Sequence, residues 1–185
     1  MVLPILKFPD PRLRQESLPV REDMPPEELQ RLVADMLDTM YDAGGVGLAA
    51  IQVGRPLRLL VLDVGLGPEV YVDPSEPLLG PERARMREGC LSFPGVFGDV
   101  ERSTSVEFEE VYRAASATGV PPMVNLVAAG VNTSDLPGTP EQRRMRAQCL
   151  QHEVEHFEGV LLVDHMSAVA IDRARRRAKR LGRGR

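Results

Sequence analysis

Gln-His-Glu-Val-Glu-His-Phe-Glu-Gly, at residues 151–159, is the stretch of this chain that decides the fold around it. Side chains four positions apart lie on the same face of an α-helix, so His152 and His156 can each give a lone pair to one metal ion. Glu153 follows the first histidine and can act as a general base for a water molecule at that ion. The pattern therefore predicts a metal-binding helix, and the class of protein depends on where the third ligand lies.

The residues after this stretch exclude two familiar positions for a third ligand. In the metzincin pattern a third histidine follows at a fixed spacing, and that position is Leu162 here, whereas His165 lies three residues farther on. Zincins that take a carboxylate from a later helix need a downstream glutamate, and Glu158 is the last glutamate of the chain. Asp164 and Asp172 remain, and an ion pair explains Asp172 more simply because arginines surround it. We therefore expect the third ligand upstream.

The two cysteines, Cys90 and Cys149, are the soft upstream candidates. Cys149 precedes His152 by one helical turn, which places its sulfur poorly for the same ion, so a small buried residue near the site is the better interpretation. Cys90 lies in Glu-Gly-Cys-Leu-Ser-Phe-Pro-Gly at 88–95, where glycine and proline indicate a shaped loop. By itself Cys90 would be interpreted as a core thiol. Together with two histidines it completes a Cys-His-His set with an open fourth position, which is typical of a catalytic metal centre.

A third stretch, Gly-Val-Gly-Leu-Ala-Ala-Ile-Gln-Val-Gly at 45–54, combines small residues with one amide. Its glycines allow another backbone to approach closely, and the Gln52 side chain can donate to the oxyanion of a tetrahedral intermediate. Two alternatives stay open from the residues alone. The glycines can serve only tight packing after a helix, and a phosphate loop has weak support because no Gly-Lys-Ser/Thr ending is present.

Hydrophobic periodicity predicts the main elements. Apolar residues recur every three or four positions between Leu29 and Met40, and glycines follow, which predicts a helix over about residues 26–42. Segments rich in β-branched and aromatic residues predict strands at 58–64, 70–72 and 105–112.

The metal-binding helix has its own start and stop signals. Thr139 and Gln142 can form a capping box around Pro140, and Gly159 is expected to end the helix. The whole pattern predicts an α+β fold, in which a mainly antiparallel sheet packs around the central metal-binding helix. We expect one domain over 1–185, with a basic C-terminal helix at about 166–182.

Composition is ordinary for a globular protein, with 43% hydrophobic and 27% charged residues among 185. No apolar run reaches transmembrane length and residues 1–7 do not follow the plan of a signal peptide, so we expect a cytoplasmic protein without membrane contact. Two cysteines without a secretion signal favour a metal ligand or a nucleophile over a disulfide.

Charge is divided unevenly along the chain. Residues 166–185 hold eight Lys and Arg and one Asp, a net +7, whereas residues 1–165 hold 15 basic and 26 acidic residues, a net −11. A basic tail on an acidic body favours a polyanionic partner, with RNA as the leading candidate. A solvated terminal helix whose charges only aid solubility explains the composition about equally well.

Taken together, the three stretches resemble a known family. Gly-Val-Gly-Leu-Ala-Ala-x-Gln at 45–52, Glu-Gly-Cys-Leu-Ser at 88–92 and Gln-His-Glu-x-x-His at 151–156 are similar, in the same order, to the signature motifs of peptide deformylases. Residues 8–14, the first helix and the basic C-terminal helix also resemble that family. The resemblance implies hydrolysis of the N-formyl group of N-formylmethionyl nascent peptides, with release of formate.

The resemblance also implies a metal site and a base. Cys90, His152 and His156 would bind one divalent ion, Fe²⁺ natively, with Zn²⁺, Ni²⁺ or Co²⁺ as substitutes. Glu153 would take a proton from water and later deliver it to the leaving amine.

Three further positions match residues that contact the substrate in the family. The Gln52 side chain and the backbone N–H of Leu91 would hold the developing oxyanion, and Gly47 would pair with the substrate backbone. The C-terminal helix of some bacterial members contacts the ribosome, which would give the basic tail of this chain a concrete partner.

A pocket for the methionine side chain is predicted from helix geometry. Met145 and Cys149 precede His152 by seven and three residues, so all three share one helix face. With Val46 and Met86 they would line an apolar slot, although ordinary core packing explains Met145 equally well.

Three features have no counterpart in the family pattern or no predicted role. Glu155 stands where the family has aspartate, and we interpret it as an ion-pair partner rather than a catalyst. Residues 113–142 are predicted to form an extended loop in place of a short hairpin, and a lid, an oligomer contact and a disordered insertion are all open. Arg87 is expected to be exposed and is given no role.

Two other functional classes share parts of the pattern. A zinc peptidase would have the same helix and base, but its third ligand is missing downstream. A catalytically silent ribosome- or RNA-binding protein would explain the basic tail, but it would not need Cys90, Gln52 and Glu153 together with the histidines.

Overall fold

Helix α1 spans Pro26–Asp42 in the structure, a computed structural model that describes residues 1–20, 24–115 and 128–181. Proline suits its first turn, where the backbone N–H groups have no partner within the helix, and Gly44 follows its end with φ 66°. The buried residues of α1 recur at three- and four-residue spacing from Leu29 to Met40. The helix predicted over about 26–42 is confirmed.

In the part of the chain that the structure describes, eight strands form two antiparallel sheets. In chain order they are β1 (Gly47–Ala49), β2 (Leu59–Leu62), β3 (Glu69–Val72), β4 (Leu78–Leu79), β5 (Arg83–Gly89), β6 (Phe97–Ser103), β7 (Val106–Ala115) and β8 (Ala128–Asn132). Six of them make the main sheet in the order β1-β2-β3-β7-β4, with β8 also paired to β7, whereas β5 and β6 form a separate hairpin. The predicted strands correspond to β2, β3 and β7.

The main sheet lies between α1 and a second helix, α2 (Pro140–Glu155). Side chains alternate between the two faces of a strand, so Leu59 and Val61 of β2 pack with α1, whereas Leu60 and Leu62 pack with α2. All four are fully buried, and burying a side chain of this size contributes about 1.5–3 kcal/mol. The fold is α+β with a mainly antiparallel sheet, as predicted.

Helix α2 begins as its sequence predicts. The Thr139 hydroxyl accepts the Gln142 backbone N–H at 3.2 Å, and the Gln142 side-chain oxygen accepts the Thr139 N–H at 2.9 Å. Its end differs from the prediction of one helix up to Gly159. The α-helix ends at Glu155, and residues 156–158 tighten into a 3₁₀ turn that closes at Gly159 with φ 69°.

Much of the polar surface of α2 is buried, so it needs partners inside the protein. Arg146, 1% exposed, donates from Nε to Glu69 on β3 at 2.8 Å. Gln151 bonds the backbone of Ser103 on β6 in both directions, at 2.9 and 3.0 Å. These bonds set the rotation of α2 relative to both sheets.

The prediction of an extended loop at 113–142 was wrong for its described parts. Strand β7 continues to Ala115, β8 at Ala128–Asn132 pairs with it, and α2 starts at Pro140. Strand β8 therefore extends the main sheet beside β7. Residues 116–127 lie outside the described residues.

The C-terminal helix α3 spans Ala168–Leu181, within the predicted range of about 166–182, whose last residue lies outside the described part. None of the helices in the described ranges has the length and apolar character that crossing a membrane requires.

The end of the metal-binding segment gives a test of this fold. A Cβ at Gly159 would lie 2.6 Å from the backbone oxygen of Arg14, whereas a Cβ at Gly54, with a similar φ of 77°, meets nothing within 4 Å. Left-handed backbone alone costs a non-glycine residue about 1–2 kcal/mol, and the collision adds about 1–3 kcal/mol. We expect urea unfolding to show a clearly larger loss of stability for Gly159→Ala than for Gly54→Ala. Equal losses would contradict the contact between residues 14 and 159.

Candidate metal centre

Cys90, His152 and His156 meet at one point in the structure. Their ligand atoms all lie within 4.8 Å of one another, and Cys90 Sγ is 3.5 Å from His156 Nε2. Cys90 follows the end of β5, His152 lies in the last turn of α2, and His156 begins the 3₁₀ turn after it. The three predicted ligands are therefore brought together by the hairpin and the helix.

The donor set fits a soft or borderline divalent ion. In a tetrahedral site with metal–sulfur and metal–nitrogen bonds of about 2.3 and 2.0 Å, neighbouring ligand atoms lie about 3.5 Å apart, which is the separation of Cys90 Sγ and His156 Nε2. Burial, with the neighbouring charges of His152 and Arg102, holds the pKa of His156 well below its ordinary value. The neutral imidazole keeps a lone pair for an ion. Thiolate and imidazole suit Zn²⁺ and Fe²⁺ better than Mg²⁺ or Ca²⁺.

Glu88 fixes the orientation of the first histidine. Its Oε2 lies 3.0 Å from His152 Nδ1, which leaves the Nε2 lone pair for the ion. Burial raises the pKa of Glu88, but hydrogen bonds with His152 and Arg102 outweigh that effect and bring the pKa to about 2. Glu88 is therefore ionised wherever the protein is folded near neutral pH. The sequence analysis gave Glu88 no role, although its position two residues before Cys90 could have indicated that it lies near the metal ligands.

Arg102 links Glu88 to the end of α2. It donates from Nε to Glu88 Oε1 at 2.8 Å and from Nη2 to Glu155 Oε2 at 2.9 Å, and it is 4% exposed. Glu155 Oε2 also lies 2.9 Å from His165 Nε2 near the surface. The interpretation of Glu155 as an ion-pair partner agrees with these contacts. His165, which lies too far along the chain to be a third ligand, is the outer member of the network.

Glu153 lies beside the ligands and is 4% exposed. Burial, more than any neighbouring charge, raises its pKa to about 7. Its Oε1 is close to Gly47, where a Cβ would come within 2.7 Å of that oxygen and 2.4 Å of Cys149 Sγ. Its Oε2 is buried and has no hydrogen-bond partner among the described residues. One carboxylate oxygen is thus available to a molecule in the cleft.

The Gln52 amide is oriented by three neighbours. Its oxygen accepts the Ala49 backbone N–H at 2.8 Å, and its nitrogen lies 3.1 Å from Ser92 Oγ and 3.4 Å from Cys90 Sγ. The amide therefore directs its donor side toward the metal ligands. Leu91 lies in a tight turn between Cys90 and Ser92. A hydrogen bond of 2.8 Å from the Phe93 backbone N–H to the Cys90 backbone oxygen closes this turn.

The N-terminal segment holds these two loops together. The backbone N–H of Leu6 donates to Gln52 O at 2.7 Å, and that of Phe8 donates to Ser92 O at 2.9 Å. Between them, Lys7 Nζ donates to Leu91 O at 2.6 Å. Three consecutive residues thus connect the first predicted motif to the second, a contact that the sequence did not indicate.

A cleft of about 610 Å³ opens onto the metal centre. Val46, Met145 and Cys149 line it, as predicted, and the first two are 48% and 44% exposed. Gly47 and Leu91 line it as well, but Met86 does not. The place of Met86 in the pocket stays a prediction, since Met86 lies on the same face of β5 as Glu88, which does line the cleft.

Comparisons with known proteins agree with this arrangement. Residues 2–116 match the family model described as polypeptide deformylase. The chain is 38% identical to a peptide deformylase of Brucella suis over 97% of this chain and 93% of that protein. It is 39% identical to one of Rhizobium meliloti over 95% of this chain and 91% of that protein. These sequence similarities extend over α2 and its histidines, beyond the residues that the family model matches.

Solved structures give the same result. The fold is similar to a peptide deformylase from Legionella pneumophila, with a TM-score of 0.78, 36% identity and coverage of 100% of this chain and 99% of that one. It is also similar to one from Ehrlichia chaffeensis, with a TM-score of 0.80, 29% identity and coverage of 99% and 98%.

The contact of Glu88 with His152 predicts a change in metal affinity. Glu88→Gln keeps the shape of the side chain but removes the charge that orients the imidazole, and changes of this kind lower metal affinity about 10- to 100-fold. Competition with a chelator for Zn²⁺ measures the effect, and Glu82→Gln, an exposed glutamate before the same strand, is the control. Unchanged affinity in Glu88→Gln would show that the hydrogen bond does not position His152.

Proposed function

The chain belongs to the polypeptide deformylase family, and from that membership we propose how its residues remove the formyl group of N-formylmethionine from newly made polypeptides. The observation that carries the proposal is a Cys-His-His cluster with a buried glutamate and an oriented amide beside it. Cys90, His152 and Glu153 of this group line one cleft. A peptidase with the same helix would not need this cysteine.

Cys90, His152 and His156 would hold one divalent ion, which we propose to be Fe²⁺ in the native protein, with Zn²⁺, Ni²⁺ or Co²⁺ able to replace it. When bound, the ion supplies Lewis acidity that polarises the formyl oxygen and lowers the pKa of water. The thiolate donates more charge than an imidazole, which tempers this acidity. The preference for Fe²⁺ rests on the family resemblance rather than on the geometry.

Glu153 acts as the proton carrier. Its unpartnered oxygen takes a proton from the attacking water, whose oxygen bonds to the formyl carbon. It then gives that proton to the α-nitrogen as the carbon–nitrogen bond breaks, so the products are the free amine and formic acid, which loses its proton to water to become formate. A carboxylate whose burial raises its pKa to about 7 is well matched to both transfers near neutral pH.

Gln52 and Leu91 hold the negative charge that develops on the formyl oxygen. The Gln52 amide is fixed by Ala49 and Ser92 before the substrate arrives, so no reorganisation is needed when the charge forms. The Leu91 backbone N–H is the second donor, in a turn that the N-terminal segment holds by its bond to Leu91 O.

The substrate lies along the cleft past Gly47. A backbone without a Cβ at this position leaves room for Glu153 and Cys149 and presents its polar groups to an extended peptide. Val46, Met145 and Cys149 would receive the methionine side chain, since they are apolar residues that line the same cleft as His152 and Glu153.

We also propose a place of action. Nascent formyl peptides emerge from ribosomes, so the protein acts in the cytoplasm, and the basic helix α3 would contact ribosomal RNA. Its net charge supports an anionic partner. Co-sedimentation with ribosomes that is lost when residues 168–185 are removed supports this contact, and equal sedimentation of both forms contradicts it.

The test of the function is formate release from formyl-Met-Ala-Ser under anaerobic conditions, with Fe²⁺ or Ni²⁺ supplied. Anaerobic handling is required because a thiolate ligand is open to oxidation. We expect one formate per free methionine amine. Cleavage of a peptide bond in the same peptide without its formyl group would instead support a zinc peptidase. Absence of turnover in a metal-loaded protein would support a catalytically silent ribosome- or RNA-binding protein.

The proposed role of Glu153 predicts that its removal lowers turnover but leaves metal binding unchanged. Glu153→Ala should keep the metal ion, because the three ligands remain, and should lose about 10²- to 10⁴-fold in turnover. The exposed Glu158, five residues on, provides the control Glu158→Ala. Metal analysis and formate release are measured on the same samples. A Glu153→Ala protein that retains both would disprove the proposed proton carrier.

A further inference from the structure

Among the described residues, the exposed charges that line the cleft are all positive. Its charged lining residues are Lys7, Arg87, Glu88 and Glu153. The two acids are 5% and 4% exposed, at the base of the cleft, whereas Lys7 and Arg87 are exposed at its rim. An incoming peptide therefore meets two cations on a protein body whose residues 1–165 carry a net −11. Local cations in an acidic protein favour a negatively charged part of a substrate.

Arg87 is held at the rim by an aromatic ring. Its guanidinium carbon lies 5.3 Å from the ring centroid of Phe97, which lines the same cleft and is 56% exposed. Cation–π contact orients the guanidinium without neutralising it. By register Asp99 lies opposite Arg87 on β6. The salt bridges found among the described residues do not join Asp99 to Arg87, and Asp99 does not line the cleft.

The distance from Arg87 to the metal centre matches the length of a short peptide. Arg87 precedes Cys90 by three residues at the end of β5, and an extended chain rises about 3.3 Å per residue. The two residues are therefore about 10 Å apart along the strand. In an extended peptide whose formyl carbon lies among the three ligands, the third residue is about the same distance away.

We infer that Arg87, positioned by Phe97, is a specificity-determining residue that favours an acidic side chain at the third position of the formylated peptide. This inference rests on the proposed function and names a substrate preference for the same site. A planar guanidinium can bind a carboxylate in two parallel hydrogen bonds. Lys7, which donates to Leu91 O, adds a second positive charge to the lining of the cleft.

Three peptides with amidated C-termini test the preference: formyl-Met-Ala-Glu, formyl-Met-Ala-Gln and formyl-Met-Ala-Lys. At low ionic strength we expect kcat/KM to fall in that order, with a ratio of about three- to fivefold between the Glu and Gln peptides, the range of one partly exposed ion pair. Salt screens such pairs, so the ratio should approach one in concentrated salt.

Two substitutions assign the preference to Arg87. In Arg87→Gln the ratio between the Glu and Gln peptides should fall to about one, and in Arg87→Glu the Lys peptide should become the better substrate. Arg83→Gln is the matched control, because Arg83 is exposed on the same strand, four residues away, and does not line the cleft. It should keep the wild-type ratio.

The failure of this inference is distinct from the failure of the proposed function. Formate release from the Gln peptide by the wild-type protein tests the function alone. With that activity present, a wild-type ratio of one or less, or an unchanged ratio in Arg87→Gln, overturns the role of Arg87. A ratio lost equally in Arg83→Gln overturns it as well, because the effect would then come from general charge rather than from this position.

Discussion

The contact of buried Arg102 with Glu88 and Glu155 is the interaction on which the metal centre depends. It joins the hairpin of β5 and β6, which carries Cys90, to the end of α2, where both histidines lie. Arg102 and Glu88 are 4% and 5% exposed, and removing one member of a buried pair costs about 3–5 kcal/mol because the other charge remains without a partner. The same carboxylate that holds Arg102 also orients His152. This network therefore fixes the distance between the β5–β6 hairpin and α2, and it also fixes the orientation of the His152 imidazole.

The position of α2 follows from this constraint. A helix that buries arginine, glutamine, histidine and glutamate cannot be held by apolar packing alone, and its partners come from both sheets. The N-terminal segment connects the other two loops of the site, because the backbone N–H groups of Leu6 and Phe8 donate to the backbone oxygens of Gln52 and Ser92. The proposed catalytic groups come from three distant parts of the sequence and are held by short, directional bonds, which is the preorganisation that charge stabilisation requires.

Local signals in the sequence predicted the helices and the ligands, and long-range contacts account for what was missed. The capping box at Thr139 and the periodicity of α1 depend on neighbouring residues, and the Cys-His-His set depends on donor chemistry, so both were predictable. In β5 exposed arginines alternate with Ala84, Met86 and Glu88, which gave no clear strand signal. Without that strand, Arg87 was given no role. The partners of Glu88, which are Arg102 and His152, lie 14 and 64 residues away along the chain, so no local pattern indicates them.

Joint binding of one ion by Cys90, His152 and His156 can be measured by X-ray absorption at the zinc edge of the Zn²⁺-loaded protein. We expect one sulfur at about 2.3 Å and two imidazole nitrogens at about 2.0 Å from each ion, with the sulfur lost in Cys90→Ser. A spectrum with nitrogen and oxygen neighbours only, or one in which Cys90→Ser leaves the sulfur in place, would contradict this joint binding.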